Sequence, residues 1–233
     1  PQPLSEKQNT RTQRETLPTF SLQQAYDFIN RVDFNDIRFI LDAARLNSAL
    51  AAEGKTKKYG LNINGTFSDA VKNGLMSNDL LSKVIINTVA ASDARMGGAP
   101  VVAMSNFGSG NQGITATMPV VVVAEHLGVD EETLARALSL SHLTAISIHS
   151  RYTRLSALCA ASTAAMGAAA GMAWLFTRDI NTINTAIINM VSDITGMICD
   201  GAKEGCANKV GLACANAIMA ALMAMEGFGI EGG

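Results

Sequence analysis

The chain is short of charge and of aromatic rings. Of its 233 residues only 16% are Asp, Glu, Lys or Arg, and only 5% are Phe, Trp or Tyr. So little charge solvates little surface, which points to a deeply buried helical body or to further burial against a partner. The formal net charge of −2 removes the electrostatic case for nucleic acid. Residues 1–20 are polar and contain no apolar run of the kind that marks a secretory signal. Four cysteines in a chain of this size do not make a secreted disulfide framework, so a reducing, cytoplasmic compartment is expected. No internal repeat and no low-complexity block occurs. An uncharged stretch, Leu155 to Phe176, is long enough to cross ~30 Å of hydrocarbon. Its Ala, Ser, Thr and Gly content is weakly hydrophobic on an insertion scale, so a buried core helix and no membrane span is expected.

What the chain has in quantity is small residues and methionine. Small side chains let helices approach closely, and Met fills irregular gaps. Residues 1–20, with Pro1, Pro3 and Pro18, read as a linker or tail, and the chain is expected to be part of a longer protein. Residues 21–233 read as one helical domain. Ser21 is an expected N-cap for the first helix. Residues 34–53 carry Ile37, Ile40, Leu41, Ala44 and Leu50 at helical spacing, with Gly54 as the expected stop and Lys55 to Gly65 as a loop. Asp79, Asp130 and Asp179 are expected caps of later helices. Gly97-Gly98-Ala99-Pro100 breaks the pattern. The run Val120–Val123 has strand propensity, but its flanks are helical and no partner strand is evident, so a buried helix is expected. The fold class is all-α: a single compact multi-helix domain with small-residue-rich buried helices.

The polar stretch that stands out is Cys199-Asp200-Gly201-Ala202-Lys203-Glu204-Gly205-Cys206, set between apolar segments. Cys159 lies upstream of it and Cys214 follows. Thiolates are soft donors suited to iron–sulfur, zinc or copper(I), yet C-x6-C matches neither the usual zinc spacings nor the bacterial ferredoxin run. Buried free cysteine is the competing reading, and the one favoured for Cys214. A second constellation is Gly108-Ser109-Gly110-Asn111-Gln112-Gly113. If a helix begins there, its free N–H groups form an anion site, with Ser109, Asn111 and Gln112 as side-chain donors; a tight polar loop is the simpler alternative. It lacks the GK[ST] ending of a phosphate loop. Arg95 is a candidate carboxylate clamp or the partner of a salt bridge. His126, His142 and His149 read singly as core or capping histidines. Arg151 and Arg154 precede Cys159 and are candidates to lend positive potential to an anionic cluster, a solvated linker being the simpler alternative.

Three segments then carry a resemblance: SDARMGGAPVVAMSNFGSGNQGI (92–114), SRYTRLSALCAAS (150–162) and GMICDGAKEGCANKV (196–210). From about residue 21 onward the chain resembles the bacterial and archaeal L-cysteine desulfidases, relatives of the iron–sulfur L-serine dehydratase α-chain. The spacing Cys-x39-Cys-x6-Cys is its most specific part; the serine dehydratases use a wider last interval. The resemblance implies a [4Fe–4S] cluster on Cys159, Cys199 and Cys206, with one iron open as a Lewis acid. It implies β-elimination from L-cysteine to hydrogen sulfide, ammonia and pyruvate, with the carboxylate held at Arg95, Ser109, Gly110, Asn111 and Gln112. The desulfidases are considerably longer, and their proposed base is a cysteine near the N-terminus; no cysteine precedes Cys159 here. The chain is therefore expected to be a C-terminal domain whose partner is the missing N-terminal domain, to bind the cluster poorly alone, and, being poor in charge, to form a homodimer. Rival expectations are an L-serine dehydratase of the same type, a pyridoxal-phosphate lyase, a zinc-stabilised helical domain and a non-catalytic interaction module.

Overall fold

The computed structural model describes residues 19–152, 156–194 and 196–231. The expected linker is residues 1–20, so all but its last two residues lie outside the described part. The described residues are helical throughout: α1 (Leu22–Arg31), α2 (Phe34–Ile37), a 3-10 turn (Arg38–Ile40), α3 (Leu41–Thr56), α4 (Ile63–Lys72), α5 (Leu80–Met96), α6 (Gly110–Leu127), α7 (Glu131–His149), α8 (Ala160–Thr177), α9 (Ile180–Ile194) and α10 (Cys206–Met225). Among them the only β-type pairings are two isolated bridges. The all-α expectation holds.

Caps set most of the starts. Ser21 makes a reciprocal capping box with Gln24, satisfying two of the N–H groups that a helix start leaves unpaired. Asp79, Asp130 and Asp179 accept from Ser82, Thr133 and Thr182. The segment expected as one helix over 34–53 divides at the 3-10 turn. Gly54 does not stop α3. It sits inside it, where a Cβ would lie 2.0 Å from the Ala90 carbonyl of α5, so its role is close packing. Part of the expected loop after Lys55 is α4.

α8 is the axis of the body, packed by α6, α7, α9 and α10, and every residue from Ala161 to Leu175 is buried. Its small residues make this possible: a Cβ on Gly167 would meet the Ser141 carbonyl of α7 at 2.3 Å. The Val120–Val123 run lies in α6 and is buried. Packing against α8, α7 and α5 overrides its strand propensity. The uncharged stretch from Leu155 is thus largely the core helix α8. Among the described residues, the helix that is long and apolar enough to cross a membrane, by length and composition only, is α10, half of which is buried.

Candidate functional site

Two of the three cysteines of the expected ligand set, Cys159 and Cys199, are brought together by one of the isolated bridges. Cys159 N–H donates to the Met197 carbonyl (3.0 Å) and Cys199 N–H to the Ala157 carbonyl (2.7 Å), pairing Leu158 with Ile198 in antiparallel sense. Neighbouring residues of an extended segment face opposite ways, so Cys159 and Cys199 share the face opposite Leu158 and Ile198. Cys159 is the N-cap of α8 and Cys206 is the first residue of α10. Both positions lie at helix N-termini, whose unpaired N–H groups and dipoles favour negative charge. All four cysteines are free thiols.

Around them the charges are organised. Lys203 and Lys209 both pair with Asp200, and Lys209 Nζ also donates to the Ile198 carbonyl (2.8 Å). The hydrogen bonds from Lys203 and then Lys209 hold the Asp200 carboxyl well below the usual carboxylate range. Burial pushes the Cys159 thiol up, against the Ala161 N–H and the charge of Lys209. Cys214 is different: fully buried on α10, its thiol is pushed up to about 12 by burial. It is a core residue.

Among the described residues no three His, Cys, Asp or Glu side chains converge as ligands of one metal ion. Cys159, Cys199 and Cys206 suit an iron–sulfur group by the chemistry of their donors: all are free thiols with soft sulfur, Cys199 and Cys206 lie close enough to act electrostatically on Cys159, and Cys159 and Cys206 each stand at the start of a helix.

The second expected constellation meets the first at the C-terminal end of α5. α6 does begin inside the glycine-rich stretch, with Ser109 as N-cap accepting from Gln112 N–H. Arg95 lies across its first turn: a Cβ on Gly110 would be 2.2 Å from Arg95 Nε. Among the described residues no carboxylate pairs with Arg95. Asn111 accepts from Ser92 Oγ at 3.2 Å. Gln112 is fully buried, with both ends of its amide engaged by Asn106 and His149. The cysteine loop closes on the same end of α5, since Glu204 Cβ and Asp93 Oδ1 both lie under 4 Å from the Cβ position of Gly60. Arg151 is exposed; Arg154 lies outside the described residues. Two surface clefts, one lined by Ser48, Lys55 and Glu125 and one by Arg38, Arg45 and Glu131, include none of these groups.

Sequence reasoning missed the contacts of three residues. Asp93 is fully buried, its Oδ2 accepting from Asn64 N–H and Nδ2 (3.0 and 3.1 Å). It caps α4 from another helix, and burial raises its carboxyl above the ordinary value. His149 is buried at the end of α7 and stacks between Phe107 (4.3 Å) and Tyr152 (4.6 Å). Tyr152 hydrogen-bonds to Thr163 on α8, and burial raises its hydroxyl, with Cys159 near enough to add to the effect. The stack therefore runs from the loop before α6 to the first turn of α8.

The model of the serine dehydratase alpha chain matches residues 5–233, beginning well before residue 21, where the resemblance was expected to start. A UPF0597 protein of Klebsiella pneumoniae subsp. pneumoniae is 93% identical over 226 residues, covering 97% of this chain and 53% of that protein. The UPF0597 protein YhaM of Escherichia coli is 58% identical over 212 residues, covering 91% of this chain and 49% of that protein. The chain thus spans about half the length of these curated relatives. No solved structure matches it.

Proposed function

The chain belongs to the serine dehydratase alpha-chain family, and from that premise we propose that it is the iron–sulfur-binding part of a lyase that eliminates the β-substituent of a small amino acid, with L-cysteine as substrate. The observation that carries this reading is the Leu158–Ile198 bridge, which sets Cys159 and Cys199 on one face beside Cys206. A [4Fe–4S] cluster held by these three thiolates supplies, when bound, an open iron that is a Lewis acid toward the leaving sulfur.

The chain's own residues supply the rest of the environment. Arg95, unpaired by any described carboxylate, and the first turn of α6 bind the substrate carboxylate. Ser109 and Asn111 orient that turn. Lys209 sets a positive charge beside Cys159 that opposes the burial of its thiol. Loss of the Cα proton and of the β-sulfur gives hydrosulfide and aminoacrylate, which hydrolyses to pyruvate and ammonia. The remainder of the longer protein, by analogy with the length of its relatives, is the partner that completes the cleft. Oxygen-labile iron–sulfur chemistry suits a reducing cytoplasm.

Anaerobic reconstitution tests the reading. Close to four irons and four labile sulfides per chain are expected, falling when Cys159, Cys199 or Cys206 becomes serine. Sulfide released from L-cysteine identifies the desulfidase; pyruvate from L-serine alone shifts the reading to the dehydratase. Zinc in place of iron, or neither product from iron-loaded full-length protein, overturns both.

A further inference from the structure

The outer face of α10 is apolar where a surface helix is ordinarily charged. Its inner face packs on α5, α8 and α9. Its outer face, where polar and charged side chains are the rule, has no charged residue from Val210 to Met225. Leu212, Met219, Leu222 and Met223 are instead between 43% and 56% exposed. Single apolar residues on a surface are ordinary, but a contiguous row of them marks an interaction surface.

The row is ordered. Asn208, Leu212, Ala215, Met219, Leu222 and Glu226 follow one another at intervals of four, three, four, three and four residues. That is the repeat by which one helix seats its side chains in the holes of another. At about 100° per residue the six lie within about 40° of one line along the helix. All are exposed except Ala215, which is half-buried. A seam this narrow, with polar residues at both ends, fits another helix rather than a flat lipid surface.

The row is also its own complement. Ala217 is its midpoint, and residues equally distant from that midpoint match when a second copy runs antiparallel. Leu212 then meets the partner's Leu222, Ala215 meets the partner's Met219, and Asn208 meets the partner's Glu226. Small lies against large at the centre, leucine against leucine on either side, and amide against carboxylate at the ends. The charges agree as well. Lys209 in the first turn and the C-cap Glu226 are the charged residues at the two ends of α10. Antiparallel pairing brings each Glu226 to the start of the partner's helix, beside Lys209 and the positive end of the helix dipole. Parallel pairing would set Glu226 against Glu226 and align the two dipoles.

We propose that the outer face of α10 joins two copies of this chain, as an antiparallel helix pair about a two-fold axis at Ala217. Such a contact is isologous and closes on itself. It gives the homodimer expected from the shortage of charge a definite surface. It also sets the end of one α10 against the start of the other, where Cys206 stands. A different segment of the longer protein could cover the face without any need for the row to match itself. The inference is independent of the lyase reading.

Sedimentation of the full-length protein reads the mass directly, and a dimer is expected. Met219→Glu is expected to weaken that dimer by about 100-fold or more, because each copy then buries an unpaired carboxylate. Ala215→Lys is expected to do the same with an ammonium. Unchanged helical circular dichroism shows that each variant folds. Mixing the two variants is expected to restore a dimer, since antiparallel pairing sets the lysine of one against the glutamate of the other. A monomeric unmodified protein, with the face covered by its own remaining half or by nothing, overturns the proposal. So does a dimer indifferent to both variants, which places the contact elsewhere. Two weakened variants that do not recombine overturn the antiparallel register. None of these readings uses iron or substrate, so failure of the lyase reading leaves them unaffected.

Discussion

Cys206 and Cys214 stand two turns apart on α10 and belong to two different regions of the molecule. Cys206 opens the helix among Lys203, Asp200 and Lys209, beside two other thiols. Cys214 is enclosed by apolar neighbours, with Thr88 as its polar contact. The same contrast separates the whole end of the body where α4, α6, α8 and α10 begin from the packed middle around α8. Both regions are rich in Ala, Gly and Ser. In the middle the backbone groups are paired within helices and small residues serve close approach. At the end the first-turn N–H groups are taken by side chains, as Asn64 N–H by Asp93 and Gln112 N–H by Ser109. Composition does not tell the two apart; the position of a residue along its helix does.

The largest effect that would break this contrast is an exchange of roles between the two cysteines. Cys206→Ser is expected to abolish iron binding with stability changed by no more than about 0.5 kcal/mol. Cys214→Ser is expected to keep the iron and cost ~1–2 kcal/mol, because it buries a hydroxyl in an apolar site. Iron analysis with urea denaturation checks both.

Next is the packed middle itself. Gly167→Leu is expected to cost ~3 kcal/mol, since the added side chain meets the Ser141 carbonyl and α7 must move. Gly201→Ala in the cysteine loop, where nothing lies within 4 Å but φ is +94°, is expected to cost only ~1 kcal/mol of backbone strain. Equal costs would erase the distinction between the regions.

His142 sharpens it by pH. Burial lowers its pKa from 6.5 to about 4, so the unfolded chain takes up a proton that the folded one refuses. Stability is then full above the unfolded value and falls as pH drops through the window between 6.5 and 4, by up to about 3 kcal/mol at the lower end. Denaturation midpoints across that window are expected to follow this fall, and His142→Gln to flatten it.

At the polar end, Arg95→Leu is expected to raise KM for the amino acid by about 10–100-fold, the loss of a charge-assisted hydrogen bond, with folding intact. The smallest expected change is at Asp200. Its carboxyl is held low in the folded state, so its contribution is present above about pH 4, the unfolded value, and is lost as pH falls below that. Asp200→Asn is expected to make thermal midpoints slightly less sensitive to acid there, and nowhere else.

Much of the fold was legible because its causes are local. Ser21, Asp79 and Asp130 cap the helices that their spacing announced, and the long small-residue stretch is the core helix. α4 was not legible, because its start is completed at a distance. Asn62 sits in the left-handed region without a side-chain cap, and the carboxylate that satisfies Asn64 N–H comes from Asp93, on α5. Gly54 misled for the same kind of reason: the carbonyl that requires it belongs to another helix. At the site, the thiols and the glycine-rich stretch were visible as residue types with a known chemistry. The Phe107–His149–Tyr152 stack was not, since it joins a loop residue in a positive-φ conformation to a helix end by ring packing alone.

The Leu158–Ile198 bridge has a further consequence for how a metal group enters. Folding alone already closes the long chain interval between Cys159 and Cys199, and the entropy of closing a loop grows with its length. Under the cluster reading proposed above, two of the three thiols are brought together by the fold itself, and the reach of the third, Cys206, is set by the short loop through Gly201. On that reading the site is a chelator preset on two of its three arms.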